Sequence, residues 1–392
     1  MTGPLAGIKV LDLSQVIAGP YGPTLLSHSG AEVIKIEPLQ GEMTRQNPGA
    51  NYFAWNRGKR SLPLNLRTEE GLEVFYRLVE RSDVVVENFR PGVTGRMRID
   101  YETLSGLNPR IIYASVTAFG ASGPYQHRPG FDPLLQAMTG IERLQGGPGN
   151  PPVFLRIAIT DFVTAMLQAA GVTMALYQRE RTGRGEHIEL SLLRSGIFIN
   201  GDAFVRYAGQ PDRQRPDSGQ HGFGPLDRMY RASDGEYIFL LVPDEEAWRN
   251  LCRLPALQAL AGDARFSNAV VRAKNVDHLA DVLAEHFWSQ PAAVWLEQLE
   301  AAGVPCAPVI TGYEKRFFED VQPVVNGYYV WGDHPERGRI EQVGNYLRFS
   351  GAATSQEAAP GPILGQHTEE ILGALGYGEA EILRLRAAGA IL

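Results

Sequence analysis

The 392-residue sequence predicts an α/β protein with a parallel, doubly wound sheet and a second, smaller domain. Three observations carry that expectation. Short apolar runs alternate with helix-patterned stretches through the first third, the order expected of a parallel sheet covered by helices. The stretch Asp161–Arg179 is apolar nearly all round, as a helix buried on several sides must be. A polar stretch rich in glycine and proline, Gly209–Gly224, then separates this part from a further strand and a long helical region. The length also exceeds what one compact core usually supports.

Taken in order, Ile8–Leu13 (IKVLDL) reads as a strand, followed by the loop AGPYG and a short helical segment around Leu25–Ser29. Glu32–Glu37 (EVIKIE) is a second strand. Glu69–Ser82 spaces Leu72, Phe75, Tyr76 and Val79 as one helical face, with charges on the other. Asp83–Glu87 (DVVVE) and Arg110–Val116 (RIIYASV) read as further strands. The apolar helix ends in the basic turn RERTGRGE, and HIELSLL alternates as a strand does. Beyond the linker, Gly235–Val242 (GEYIFLLV) is a strand, helical sequence runs to about Gly303, and the chain closes on helical stretches at His367–Ala374 and around Glu379–Ala387.

Composition narrows the function. A net charge of −7 with no basic run disfavours nucleic acid and anionic membranes as partners. The N-terminus lacks a basic segment followed by a long apolar one, and no uncharged run reads as a membrane span, so the protein is expected to be soluble and cytoplasmic. Cys252 and Cys306 show no metal-binding spacing and read as small hydrophobes of a reducing compartment. The histidines form no HxxxH or HExxH pattern, so no metal is expected. GxSxG and Walker A motifs are absent, and the prolines in AGPYG break the spacing of a dinucleotide fingerprint. Trp248, Trp288 and Trp295 are expected in packing roles.

Two places have the chemistry of a site. Asp161 stands just before the apolar helix. Spacing alone makes it a helix N-cap, while a carboxylate held there inside a cleft is also able to attack a thioester. The run Glu87–Arg96 (ENFRPGVTGR) follows a strand, at the edge where open α/β sheets bind ligands. Arg90 and Arg96 suit phosphate, and Phe89 suits stacking on a base.

With these pieces in hand, LAGIKVLDLSQVIAGPYG, LLSHSGAEVIKIEP, ENFRPGV, IDYETLSGLNPRIIYASVTAFG, HRPGFDPLLQAMTG, RTGRGEHIELSLL, AAGVPCAPV and PGPILGQHTEEIL resemble, in order, the class III (family III) CoA-transferases, a family that includes the α-methylacyl-CoA racemases. The resemblance implies a large Rossmann-like CoA-binding domain from residues 1–205 and 335–392, a small domain over 225–325, and an interlocked homodimer. It implies Asp161 as catalytic nucleophile, with Ile17, Ala18, Leu64 to Arg67, Asn88, Phe89, Arg90, Arg96 and the segment ending in Phe131 and Asp132 bordering coenzyme A. The implied reaction moves CoA from an acyl-CoA to a small carboxylic acid through aspartyl anhydride and aspartyl-CoA thioester. Racemase relatives carry a His-Asp pair where this chain has Phe131-Asp132, which favours transfer; an acyl-CoA isomerase or racemase, intramolecular CoA transfer included, and a non-catalytic CoA-binding protein are the alternatives. Oxalate-using members carry a glycine run where this chain reads SGQHGFGPLD, which argues against oxalate and formyl-CoA as substrates.

Overall fold

The computed structural model describes residues 3–46, 51–211, 213–351 and 356–392. Asp212, inside the expected linker, lies outside them. The chain divides into two compact units: residues 1–139, 155–204 and 318–392 form the larger, and 140–154 with 205–317 the smaller.

The larger unit is built on six parallel strands, β1 (Lys9–Asp12), β2 (Glu32–Glu37), β3 (Arg60–Pro63), β4 (Val84–Glu87), β5 (Ile112–Thr117) and β6 (His187–Ser191), in the order β3-β2-β1-β4-β5-β6. The five strands read from the sequence before the linker are all present. The unforeseen one, β3, is an edge strand of four residues ending in Pro63, which a period-two reading does not flag. Strand side chains alternate between faces. Val85 joins a core with Leu11, Ile34 and Phe75 on one side, and Val84 and Val86 join Val10, Val33 and Ile112 on the other. Burial on both faces explains why DVVVE is continuously apolar.

The helices that position the site are α1 (Tyr21–His28), α2 (Glu69–Glu80), α3 (Asp132–Met138), α4 (Ile159–Thr182) and α5 (Leu192–Ile199). Thr68 caps α2, its hydroxyl accepting the Gly71 N–H at 3.1 Å, and Leu72, Phe75, Leu78 and Val79 form the buried face. Helix α5 begins inside the run HIELSLL expected as a strand, because the Ser191 hydroxyl accepts the Arg194 N–H at 3.2 Å and turns the chain. Within the 24 residues of α4, an 18-residue window reaches a mean hydropathy of 1.4, enough by length and composition to cross a membrane. It is a core helix of the unit, with Val172, Ala175 and Leu176 buried with strand residues Val84, Val86 and Ile112. From the far end of the chain, Ile371, Leu372, Ile382, Leu385 and Ile391 complete the opposite core.

A buried charge cluster sits at the end of β1. Asp12 is fully buried between Lys35 (3.3 Å) and Lys59 (2.7 Å). Burial alone raises its pKa, but the two ammonium groups outweigh that and hold it at about 2. Lys59 also donates to the carbonyls of Pro20 (2.6 Å) and Trp55 (3.1 Å), tying the loop after β1 to the sheet.

In the smaller unit an antiparallel sheet runs Cys306–Pro308, Tyr237–Leu241, Asp227–Arg231 and Gly222–Gly224. Its core gathers Tyr230, Ile238, Trp248, Phe266, Phe287 and Trp295. Trp288 departs from the packing expectation: it is exposed, with the Arg231 guanidinium over its ring. Residues 140–154, expected in the large domain, group with this unit. Asn150 Nδ2 donates to Ser218 O at 2.8 Å and Gln220 Nε2 to Gly146 O at 3.1 Å.

Replacing Asp12 by Asn leaves two buried ammonium groups without a counter-charge. The variant is expected to lose about 3–5 kcal/mol of unfolding free energy, read from urea titration; a loss within error of zero refutes this role for the cluster.

Candidate active site

Strand order places a switch point between β1 and β4, where successive connections leave in opposite directions and open α/β sheets bind ligands beyond the strand ends. Asn88, the first residue after β4, stitches the two loops together there. Its Oδ1 accepts the Gln15 N–H at 2.8 Å and its Nδ2 donates to Gln15 O at 2.7 Å. Beneath it, burial pushes the Glu87 carboxyl up to about 8, and its Oε2 accepts the Phe89 N–H at 2.7 Å. Protonated at neutral pH, Glu87 supports this loop without adding a charge.

Asp161 approaches the same place from α4, whose first turn contains it. The expected N-cap is not its role. The N-cap position is Ala158, which has no capping side chain, and the cap is supplied from α3. Asp132 Oδ1 accepts the Thr160 N–H and hydroxyl, both at 2.7 Å, and the Asp161 N–H at 3.4 Å. Its second oxygen accepts from Gln136, which also donates to Ile157 O at 3.0 Å. The Asp161 carboxylate accepts no hydrogen bond among the described residues and is 7% exposed. Burial, then the charge of Asp132, raises its pKa to about 7.

Asp161 lines a cavity of about 350 Å³ with Ala18, Asn88, Phe89, Arg90, Arg128 and Phe131. Among the described lining residues it is the one side chain able to exchange a proton near neutral pH; the other ionisable groups are the two guanidiniums. Gly130 allows the Phe131 segment to close on β5, since a Cβ there would lie 2.3 Å from the Ala118 Cβ.

Residues 5–368 match CoA-transferase family III. The chain belongs to that family. It is similar to the succinyl-CoA:glutarate CoA-transferase of Mus musculus, 33% identical over 99% of this chain and 90% of the relative. It is equally similar, at 33% over 99% of both chains, to the formyl-CoA:oxalate CoA-transferase of Streptomyces coelicolor. Its fold is that of a CAIB/BAIF family protein from Brucella suis, with TM-score 0.84 and 32% identity over 96% of this chain and 100% of that one. The protein is therefore an enzyme of CoA transfer between acyl-CoA thioesters and carboxylic acids.

Of the positions the family resemblance marked, the structure brings Ala18, Asn88, Phe89, Arg90, Phe131 and Asp161 to one cavity. Ile17 adjoins it as the residue before Ala18. Asp132 lies behind the wall, turned to the α4 amides. Leu64 does not line this cavity: its side chain is buried in the core with Leu62 and Ile391, while its N–H bonds Glu37 O at 2.8 Å. Arg67 and Arg96 are exposed and off the cavity wall. The arginine missed in the sequence is Arg128, stacked 4.1 Å from the Tyr125 ring centroid. Its place inside the HRPGFD motif was the available signal. Gln15 and Met43 were missed as well.

Asp161→Asn tests the electrostatics separately from catalysis. A carboxyl titrating near 3.8 unfolded and about 7 folded keeps its stability below pH 4 and loses it as pH rises through 7. The variant is expected to be more stable than wild type at pH 8, by roughly 2–4 kcal/mol, with the difference vanishing at pH 4 in urea unfolding. An equal or lower midpoint at pH 8 contradicts a buried, unpaired charge.

Proposed function

We propose that this enzyme passes CoA from an acyl-CoA to a small carboxylic acid through covalent intermediates on Asp161. The observation that carries this is a buried carboxylate, free of hydrogen bonds among the described residues, facing a cavity at the switch point. A carboxylate with a raised pKa is a stronger nucleophile than an ordinary one, and one without partners sheds no bonds before it attacks.

An Asp161 oxygen adds to the thioester carbonyl; the C–S bond breaks, giving a mixed anhydride and CoA thiolate. The thiolate attacks the Asp161 carbonyl carbon, releasing the donor acid and forming aspartyl-CoA thioester. The acceptor carboxylate displaces the thiolate again as a second anhydride. Thiolate attack on the acceptor's carbonyl then gives the new acyl-CoA and frees Asp161. Protons balance throughout, so the site needs no general acid. That agrees with a wall whose described residues include no second group titrating near neutral pH, a feature that also disfavours two-base racemisation. Arg90 and Arg128 suit the phosphates of CoA, and Phe89 an apolar or aromatic part of it.

The enzyme is further proposed to work as an interlocked homodimer of a Rossmann-like CoA domain and a small domain. Beside the buried face of α4, a groove of about 1390 Å³ lined by Leu5, Tyr21, Phe162, Met166, Met174 and Tyr177 is an apolar surface that a second copy covers. Two free cysteines, Cys252 and Cys306, fit a reducing cytoplasm.

Incubation with succinyl-CoA or formyl-CoA, crossed with glutarate and oxalate, identifies the acids. With the active pair, hydroxylamine is expected to trap Asp161 as its hydroxamate, Asp161→Ala to lose at least about 10³-fold in kcat, and kcat/KM to rise to a plateau above about pH 7. Turnover without an Asp161 adduct, unaffected by Asp161→Ala, refutes the mechanism. Met174 is 70% exposed on the groove. Met174→Glu is expected to shift sedimentation from dimer toward monomer, and an unshifted dimer excludes this face as the interface.

A further inference from the structure

The loop after β1 contains a strained residue and a row of idle donors. Its first amides are engaged: Leu13 N–H with Val86 O (2.9 Å), Ser14 N–H with Asp12 Oδ1 (3.0 Å) and Gln15 N–H with Asn88 Oδ1 (2.8 Å). Val16 N–H reaches Glu42 Oε2 at 3.3 Å. The next three amides, of Ile17, Ala18 and Gly19, donate to no acceptor among the described residues. Ala18 and Gly19 are buried, and Ala18 lines the Asp161 cavity. Buried main-chain donors without partners are rare and call for a ligand or water.

Val16 has φ +71°, a left-handed conformation costly for a β-branched side chain. Successive N–H groups after a left-handed residue form an anion-binding concavity. Helix α1 starts two residues further on and adds its dipole. The group that holds Val16 is Glu42, itself fully buried. It also accepts the Thr44 N–H at 3.4 Å and the Thr44 hydroxyl. Gly19 permits the close turn, since a Cβ there would lie 2.3 Å from Ser14 Cβ. Asp161, which lines the same cavity and has no hydrogen-bond partner among the described residues, is the second group that points to a ligand here.

We propose that Glu42 is a positioning residue for CoA transfer: by accepting the Val16 N–H it holds Val16 left-handed, leaving the Ile17, Ala18 and Gly19 amides free for the oxygen that becomes negative when Asp161 attacks the thioester. The inference rests on Asp161 as the nucleophile. As the tetrahedral adduct collapses, the oxygen returns to a carbonyl and the C–S electrons leave with the thiolate, so the amides act on the transient charge.

The test is single-turnover acylation of Asp161, followed by quenched flow and mass spectrometry, with the acyl-CoA that wild type uses fastest. Glu42→Ala is expected to slow acylation at saturating acyl-CoA at least about tenfold while KM moves less than about threefold. Glu42→Gln keeps an oxygen for the Val16 N–H and is expected to recover most of that rate. A folded Glu42→Ala protein acylating within about threefold of wild type, or losing only in KM, overturns the proposal; a purely structural Glu42 lowers the melting temperature and leaves the rate per folded molecule intact. If Glu42→Ala does not fold, Val16→Pro replaces it, because proline has no N–H to donate and φ fixed near −65°. Near-wild-type acylation by Val16→Pro overturns the proposal equally. Absence of any Asp161 adduct in wild type refutes the functional reading itself, whereas an adduct formed at undiminished rate in the variants refutes only the role of Glu42.

Discussion

The site depends on one side chain from another helix, the Asp132 carboxylate at the start of α4. A helix begins with N–H groups that need acceptors, and here Asp132, on α3, supplies them across 28 residues of sequence. Had Asp161 been the cap, its oxygens would have been occupied by amides, which lowers a carboxylate's pKa and its nucleophilicity. Moving the cap to Asp132 frees Asp161 to face the cavity, and the charge of Asp132 adds to the burial that raises its pKa. The two carboxylates differ by environment: one is saturated with donors, the other has none. Further along, Thr164 donates its hydroxyl to Thr160 O at 2.7 Å and pairs with Ser195 at 2.7 Å, so α5 steadies the same turn.

Opposite Asp161, the strand ends are held by the Asp12 cluster below the first loop and by Asn88 between the loops. Each device spans elements distant in sequence and neighbouring in the sheet. Rigid strands thereby place loop atoms with the precision that attack on a carbonyl requires. Glu87 serves this loop in neutral form, which leaves the two arginines and Asp161 as the charges that a substrate meets on the described wall.

Much of this was legible in the sequence because it is local or periodic. DVVVE read as a strand from its apolar run, and ENFR read as a ligand loop since it follows that strand. The helical face of Leu72, Phe75 and Val79 is a matter of spacing. What stayed hidden depends on long-range placement. Asp132 as the cap of α4 and residues 140–154 in the smaller unit follow from tertiary contacts that no window of sequence contains. Leu64 was marked by motif position, yet its side chain belongs to the core. Position after an edge strand does not fix which way a side chain points.

The same region is where local rules are broken together. Val16 is left-handed, and among the described residues Asp161 is buried without a partner and three amides stay idle. Each lowers stability, and none is needed to hold the sheet, whose two apolar cores lie elsewhere. Costs that cluster in one place, and are upheld there by buried groups such as Glu42, Asn88 and Asp132, mark structure kept for chemistry. On the proposed reading, a carboxylate that attacks a thioester has to be desolvated and unoccupied, so the local instability of the site and its proposed reactivity are two consequences of one arrangement.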